Sequence, residues 1–266
     1  MTAQLSNRRK GLRWYSPFVM GADFMMRPLC PARPHILIPC MVKSGSTFLA
    51  HALAAHNGLR RVRLTPAWGA REQELCELRL SRYNHYAYVS QHHIKNSDWT
   101  QELIRRYQMT PVVLVRNLFD IVISLRDHIR RESHVMSMAF FTEEHARLPD
   151  RDLEDVIVDL AMPWFIHFYV SWRQSRDTIM MDYAEVVKSP DAAMARILDL
   201  AGIPCSQTTI DHALSQIEGK NNRLNKGVSD RGRSLDIKNR QKIVQMLSYY
   251  PEILNDPYVR SMTDMV

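Results

Sequence analysis

Residues 36–49, Ile-Leu-Ile-Pro-Cys-Met-Val-Lys43-Ser44-Gly45-Ser46-Thr47-Phe48-Leu49, set the tightest limit on what this chain can fold into. An apolar strand runs into a turn of small residues carrying one lysine, and then into a segment with Leu49, Ala52 and Leu53 at helical spacing. The start of a helix leaves backbone N–H groups unpaired and concentrates positive dipole charge there. Small residues at such a turn let an anionic group approach those donors closely. Lys43 adds a full positive charge, and Ser46 and Thr47 add hydroxyls. Read on its own, the segment is either a phosphate cradle or an ordinary strand-turn-helix whose Ser and Thr cap the helix.

The nucleotide-triphosphate loop, Gly-x-x-x-x-Gly-Lys-Ser/Thr, places its lysine after the second glycine. Here Lys43 precedes Gly45 by two residues, and no glycine lies between Cys30 and Lys43. A second anion site is legible downstream, in Val-Val-Leu-Val-Arg116-Asn117-Leu-Phe-Asp120-Ile-Val-Ile-Ser124-Leu over 112–125. It is a buried-type strand ending in arginine and passing into an apolar-periodic helix. With Arg116 at the strand's carboxyl end, Ser124 lies about one to two turns into the helix, so the two can grip one anion. Alone, Arg116 could equally be a structural partner of Asp120.

The order Lys-Ser-Gly-Ser-Thr-Phe resembles the 5′-phosphosulfate loop of the sulfotransferases that use 3′-phosphoadenylyl sulfate (PAPS), and 112–125 is similar to the 3′-phosphate motif of that family, with Leu118 where proline is usual. Residues 178–204 resemble the family's strand-Tyr-Glu-Asp-Leu-Lys-x-x-Pro-helix element, whose tyrosine, here Tyr183, lies near the nucleotide. Its helix is legible from residues alone: Ser189 as N-cap, Pro190 in the first turn, Gly202 as stop and Pro204 beyond. Asn225-Lys226-Gly227 looks like the family's Arg-Lys-Gly loop, which closes over the 3′-phosphate; asparagine replaces the arginine, and Arg231 or Arg233 is a candidate for the missing charge.

The resemblance implies PAPS as sulfate donor, 3′,5′-adenosine bisphosphate (PAP) as product, no metal, and an acceptor hydroxyl on a small molecule, carbohydrate or lipid. It assigns donor binding to Lys43, Ser44, Gly45, Ser46, Thr47, Arg116, Ser124, Tyr183, Lys226 and Gly227, with Phe48 where relatives carry a tryptophan beside the adenine. In-line transfer needs a stabilised leaving oxygen, a role for Lys43, and a base that is neutral near pH 7, a role for histidine. Of the 11 histidines, His92 and His93 directly follow the apolar strand at 86–90. The family's Lys-x-His maps onto Gln91 and His93, making His93 the expected base and His92 the runner-up. A Mg-dependent P-loop-like kinase, or a basic nucleic-acid or membrane-binding module, is the alternative.

Short apolar strands near 36–39, 86–90, 112–115 and 178–181 alternate with helical stretches. That pattern predicts an α/β fold, a P-loop-like parallel sheet flanked by helices on both faces, in a single domain over 35–266. A long helix over 152–176 should kink or split at Pro163, and its aromatics read as core. Another helix is expected near 236–248, capped by Ser234 or Asp236, with turns at Pro251 and Pro257. Residues 1–34 form a basic, aromatic extension that either packs on the domain or touches an anionic membrane face peripherally. Four widely spaced cysteines without Cys-x-x-Cys read as free thiols of a cytoplasmic protein. The net charge of +7 suits a polyanionic nucleotide as well as nucleic acid, and no nucleic-acid partner is expected.

Overall fold

The computed structural model describes residues 33–56, 58–66, 72–175, 178–217 and 230–266. Five strands, β1 (His35–Pro39), β2 (Arg60–Arg61), β3 (Tyr88–His92), β4 (Met109–Val115) and β5 (Ile179–Asp182), form one sheet in the order β2-β3-β1-β4-β5. Every pairing is parallel, with Ile36 opposite Val89 and Val112 opposite Ile179. Four of these strands stand where apolar runs predict them. β2 is an edge pair of exposed arginines without apolar alternation, and it exists because β3 offers it a partner.

The helices in chain order are α1 (Ser46–Ala55), α2 (Glu77–Tyr83), α3 (Asp98–Arg106), α4 (Leu118–Arg131), α5 (Glu143–Arg147), α6 (Asp150–Leu160), α7 (Met162–Arg173), α8 (Tyr183–Lys188), α9 (Pro190–Leu200), α10 (Gln207–Ser215), α11 (Ile237–Ser248) and α12 (Pro257–Thr263). Side chains alternate across the sheet as a period of two requires. Ile36, Ile38, Val112 and Leu114 pack with Leu49, Leu53, Met194 and Ile197 from α1 and α9. Leu37, Val113 and Val115 pack on the other face with Leu103, Ile121, Ile157, Phe165 and Ile243. The expected α/β fold, with helices on both faces of a parallel sheet in a single domain, is the one observed.

Pro163 splits the predicted long helix at Ala161 and then sits in the first turn of α7, where its missing N–H costs nothing. The α7 aromatics are core: Phe165, Phe168, Tyr169 and Trp172 are fully buried, and Trp172 Nε1 donates to the Ile94 carbonyl at 2.9 Å. α9 begins after Ser189 as predicted, but the Ser189 side chain makes no capping bond. Asp236, not Ser234, caps α11 by accepting from Lys238 N–H at 2.9 Å. The predicted turn at Pro257 is helix α12, capped by Asp256. Residues 1–32, and with them nearly all of the N-terminal extension, lie outside the described residues. Among the described residues no helix is long and apolar enough to cross a membrane.

β1 and β4 are neighbours, yet the chain leaves β1 toward β2 and leaves β4 toward β5. Connections departing in opposite directions open a crevice at the carboxyl ends of the two strands, where ligands of open α/β sheets bind. Lys43 follows β1 and Arg116 follows β4.

Candidate active site

The turn after β1 is built from two left-handed residues, Lys43 (φ 67°) and Gly45 (φ 74°). A lysine in that region costs about 1–3 kcal/mol, so the surrounding structure must hold it. Ser44 supplies part of the hold: its buried Oγ donates to the Met41 carbonyl at 2.6 Å, closing the turn from inside. The Ser44 side chain therefore does not line the cleft. A Cβ on Gly45 would stand 3.1 Å from the Tyr183 ring, so both φ and this close approach ask for glycine. α1 then starts at Ser46 with no side chain capping its first N–H groups and no acidic residue in its first turn.

The second loop is held by Asn117, whose Oδ1 accepts from the N–H groups of Phe119 (2.9 Å) and Asp120 (3.4 Å) and so starts α4. Leu118 keeps an N–H that the usual proline would lack, and it donates to Met262 Sδ at 3.4 Å. Arg116 is buried and joins the two loops. Its guanidinium donates to the Lys43 carbonyl at 2.8 Å, stands 3.6 Å from Asp120, and lies 4.1 Å over the Tyr183 ring. Burial pushes the Arg116 pKa down, while Tyr183 and Asp120 pull it back up, leaving a guanidinium that stays cationic. The Arg116 carbonyl accepts from the Tyr258 hydroxyl at 2.7 Å, which ties α12 to the end of β4.

Both loops open onto one cleft of about 210 Å3. Lys43, Gly45, Ser46, Thr47 and Phe48 line it from the first loop and α1; Arg116 and Ser124 line it from the second; Tyr183 and His93 complete it. Ser124 is buried, and its Oγ has no hydrogen-bond partner among the described residues. An orphaned buried hydroxyl costs about 1–3 kcal/mol, a cost that a ligand oxygen would remove. Lys226 and Gly227 lie outside the described residues.

Among the cleft residues not singled out in the sequence, two are ionisable. Glu132 stands 3.7 Å from Lys43 Nζ, and His128 Nδ1 lies 3.2 Å from Glu132. Their signal is a spacing: Ser124, His128 and Glu132 recur every four residues, so they share one face of α4.

The two candidate histidines divide sharply. His92 is buried, accepts from Leu64 N–H at 2.9 Å through Nε2, and has Ser90 Oγ 2.7 Å from the same nitrogen. Burial, with His93 and two arginines nearby, drives its pKa down to about 3, so it is a neutral structural acceptor. His93 lines the cleft. Its backbone N–H donates to Gln73 Oε1 at 2.9 Å, and its Nδ1 lies 2.9 Å from the Cys40 carbonyl and 3.4 Å from Cys40 Sγ. Burial alone would lower the His93 pKa, but attraction to Cys40 and hydrogen bonds with it outweigh burial, so the value is raised. With Nδ1 held, Nε2 is the ring nitrogen left for the cleft.

Comparison with solved structures finds the same architecture. Mouse sulfotransferase SULT7A1 complexed with PAP aligns over 87% of this chain and 87% of its own, with a TM-score of 0.61 at 14% identity. Retinol dehydratase in a complex with retinol and PAP aligns over 85% of this chain and 83% of its own (TM-score 0.53, 15% identity). The sulfotransferase domain of the Synechococcus PCC 7002 olefin synthase aligns over 84% and 96% (TM-score 0.50, 13% identity). The chain has the sulfotransferase fold. No protein-family model matches it, and no curated protein matches it in sequence.

One further contact shapes the arginine side of this sulfotransferase fold. The 3-10 turn Arg231–Ser234 is seated on the start of α4, where Gly232 N–H donates to Asp120 Oδ1 at 2.6 Å and Arg231 pairs with Asp127 at 2.5 Å. Of the two arginines proposed from sequence, Arg231 is thus the one beside Arg116, whereas Arg233 is exposed and pairs with Asp230 at 3.7 Å. A Cβ on Gly232 would fall 2.4 Å from Phe119 Cβ and 2.8 Å from the Asp120 nitrogen. Gly232→Ala is therefore expected to cost about 1–3 kcal/mol by overpacking, read as a lowered Tm in calorimetry. A Tm equal to that of the parent protein would show that the turn is not seated as described.

Proposed function

We propose that the protein transfers the sulfuryl group of PAPS to an acceptor hydroxyl. The observation that supports this most is a single cleft carrying two anion grips, Lys43 with the start of α1 and Arg116 with Ser124, where the Ser124 hydroxyl has no partner among the described residues. Two separated grips suit a nucleotide that is anionic at both its 5′ and 3′ ends. When bound, PAPS supplies an activated sulfuryl group and PAP as leaving group.

The chain's own residues then have distinct tasks. Lys43, Ser46, Thr47 and the α1 N–H groups hold the 5′-phosphosulfate, and Lys43 offsets negative charge as it grows on the leaving oxygen. Backbone N–H groups of Ser44 and Gly45 assist from the turn. Arg116 and Ser124 hold the 3′-phosphate, and the family resemblance adds Lys226 and Gly227 to its ligands. Tyr183 and Phe48 flank the adenine. His93 takes the proton of the acceptor hydroxyl, and because that base must be neutral, activity should fall as pH drops through its raised pKa. Nothing in this chemistry calls for a metal.

Calorimetry with PAP tests the reading. Tight binding is expected without magnesium, weakened about 100-fold or more in Arg116→Ala and clearly weakened in Ser124→Ala, since each removes a charge-assisted contact to one phosphate. Binding of ATP that appears only with magnesium, and no binding of PAP, would replace the sulfotransferase by a kinase.

A further inference from the structure

We propose that Cys40 is the positioning residue for His93: its carbonyl and its sulfur together hold ring Nδ1, which fixes the ring's orientation and keeps the Nε2 lone pair toward the cleft. This deepens the sulfotransferase reading, in which His93 is the base, and rests on it.

Cys40 is a fully buried thiol that the transfer chemistry does not itself use. The sheet pins it in place. It directly follows β1, its N–H donates to the His92 carbonyl at 3.0 Å, and it forms a bridge with Leu114 of β4. The His93 ring, by contrast, stands between two open volumes, the donor cleft and a neighbouring cavity of about 680 Å3 that it also lines. Packing alone does not orient such a ring; the contacts at Nδ1 do.

Nδ1 lies 2.9 Å from the Cys40 carbonyl oxygen and 3.4 Å from Cys40 Sγ, and among the described residues these are the hydrogen bonds made to the His93 ring. A carbonyl oxygen only accepts, so in the neutral ring Nδ1 carries the proton and Nε2 the lone pair. That is the tautomer a base facing the cleft needs. Turning the ring over would set a C–H against the carbonyl and forfeit both contacts. The sulfur's other contacts agree with this arrangement. Its hydrogen is directed at the His92 carbonyl, 3.5 Å away, and it accepts from Gln91 Nε2 at 3.8 Å, which leaves a lone pair for the His93 Nδ1–H. Gln91 Nε2 also donates to Ser46 Oγ at 3.0 Å, tying this seat to the turn after β1.

An acceptor serves Nδ1–H better when the ring is charged, so the sulfur also raises the ring's affinity for a proton. The leading influences that oppose burial at His93 come from Cys40. Lys43, Arg116, His128, Glu132 and Tyr183 share the donor cleft with His93, and His51, Arg61, Arg63 and His92 share the cavity on its other side. A substitution confined to Cys40 leaves all of these charges in place.

The test follows the His93 ring in the full chain by long-range 1H–15N NMR, with His93→Gln identifying its signals. Labelled-sulfate transfer from PAPS is measured against pH in parallel. The neutral ring of the parent should be protonated at Nδ1. Cys40→Ala should lower the His93 pKa by about half a unit or more and carry the acid limb of kcat/KM to lower pH with it. Above that limb kcat should fall about tenfold through a loosened ring, with KM for PAPS changed less than about threefold. Cys40→Ser, whose hydroxyl again accepts from Nδ1–H, should return the pKa and most of kcat. A neutral ring protonated at Nε2 overturns the proposal, as does a Cys40→Ala protein with the parental His93 pKa and acid limb, the result that a packing role alone would give. A Cys40→Ser protein as impaired as Cys40→Ala overturns it too. Absence of sulfuryl transfer in the parent would remove the sulfotransferase reading alone, because the ring's tautomer and titration are read without donor or acceptor.

Discussion

Lys43→Gly is expected to reduce sulfuryl transfer by about 1,000-fold or more while leaving thermal stability unchanged or slightly improved. The two effects separate because Lys43 is strained by its left-handed backbone, φ 67°, a conformation glycine adopts freely. Removing the side chain relieves strain and forfeits a partly exposed ion pair to Glu132 at 3.7 Å, worth about 0–1 kcal/mol. For catalysis the loss is much larger. A fixed positive group aimed at developing charge contributes on the order of 100- to 1,000-fold, and its removal also leaves the Glu132 carboxylate a larger share of the charge an anionic substrate meets. PAP affinity should fall as well, by a smaller factor, because the Arg116 grip survives. Single-turnover transfer of labelled sulfate, with Tm read in parallel, decides the matter. A rate within tenfold of the parent protein would remove Lys43 from the chemistry.

His93→Gln should lower turnover by about 100- to 10,000-fold with PAP binding intact, the range that general-base catalysis spans. The pH profile carries an independent check. The His93 pKa is raised above the ordinary 6.5, so the acid limb of kcat/KM should lie above pH 6.5, with activity lost as pH falls through it. Were His92 the base, the limb would sit near pH 3, because His92 stays neutral above that value. His92→Gln is instead expected to reduce stability, since the buried Leu64 N–H loses its acceptor, and to leave the acid limb in place. An acid limb unmoved by His93→Gln, or a turnover-dead His92→Gln that is fully stable, would reverse the assignment.

Much of the fold was legible because its signals are local. β1, β4 and β5 are continuous apolar runs, the pattern of strands covered on both faces. The split at Pro163 follows from ring geometry and a missing donor. β2 was not legible, since two arginines make no strand until β3 lends its hydrogen-bonding edge. Helix α10 was missed for a different reason: its capping box, Ser206 with Thr209, uses threonine where glutamate or glutamine is the usual signature.

The candidate site divides along the same line. Lys43, Gly45, Ser46, Arg116 and Ser124 could be named from sequence, because a strand running into a small-residue turn and a helix is an anion-binding pattern in one dimension. That the two patterns face one cleft depends on β1 and β4 being adjacent with connections leaving in opposite directions, a property of strand order that no short window contains. The same holds for Ser44, turned inward by a bond to Met41, and for Glu132, which reaches Lys43 across elements.

His92 and His93 show the division most plainly. They are adjacent in the chain, and residue type cannot rank them. His92 is the last residue of β3 and its ring is buried against Leu64, while His93, just past the strand end, reaches the cleft beside Cys40. The sequence alone determined which chemical groups exist and which segments can cradle an anion. Only the packing of parallel strands decided which of those groups share a volume, because burial, pKa and encounter depend on distances between residues far apart in the chain.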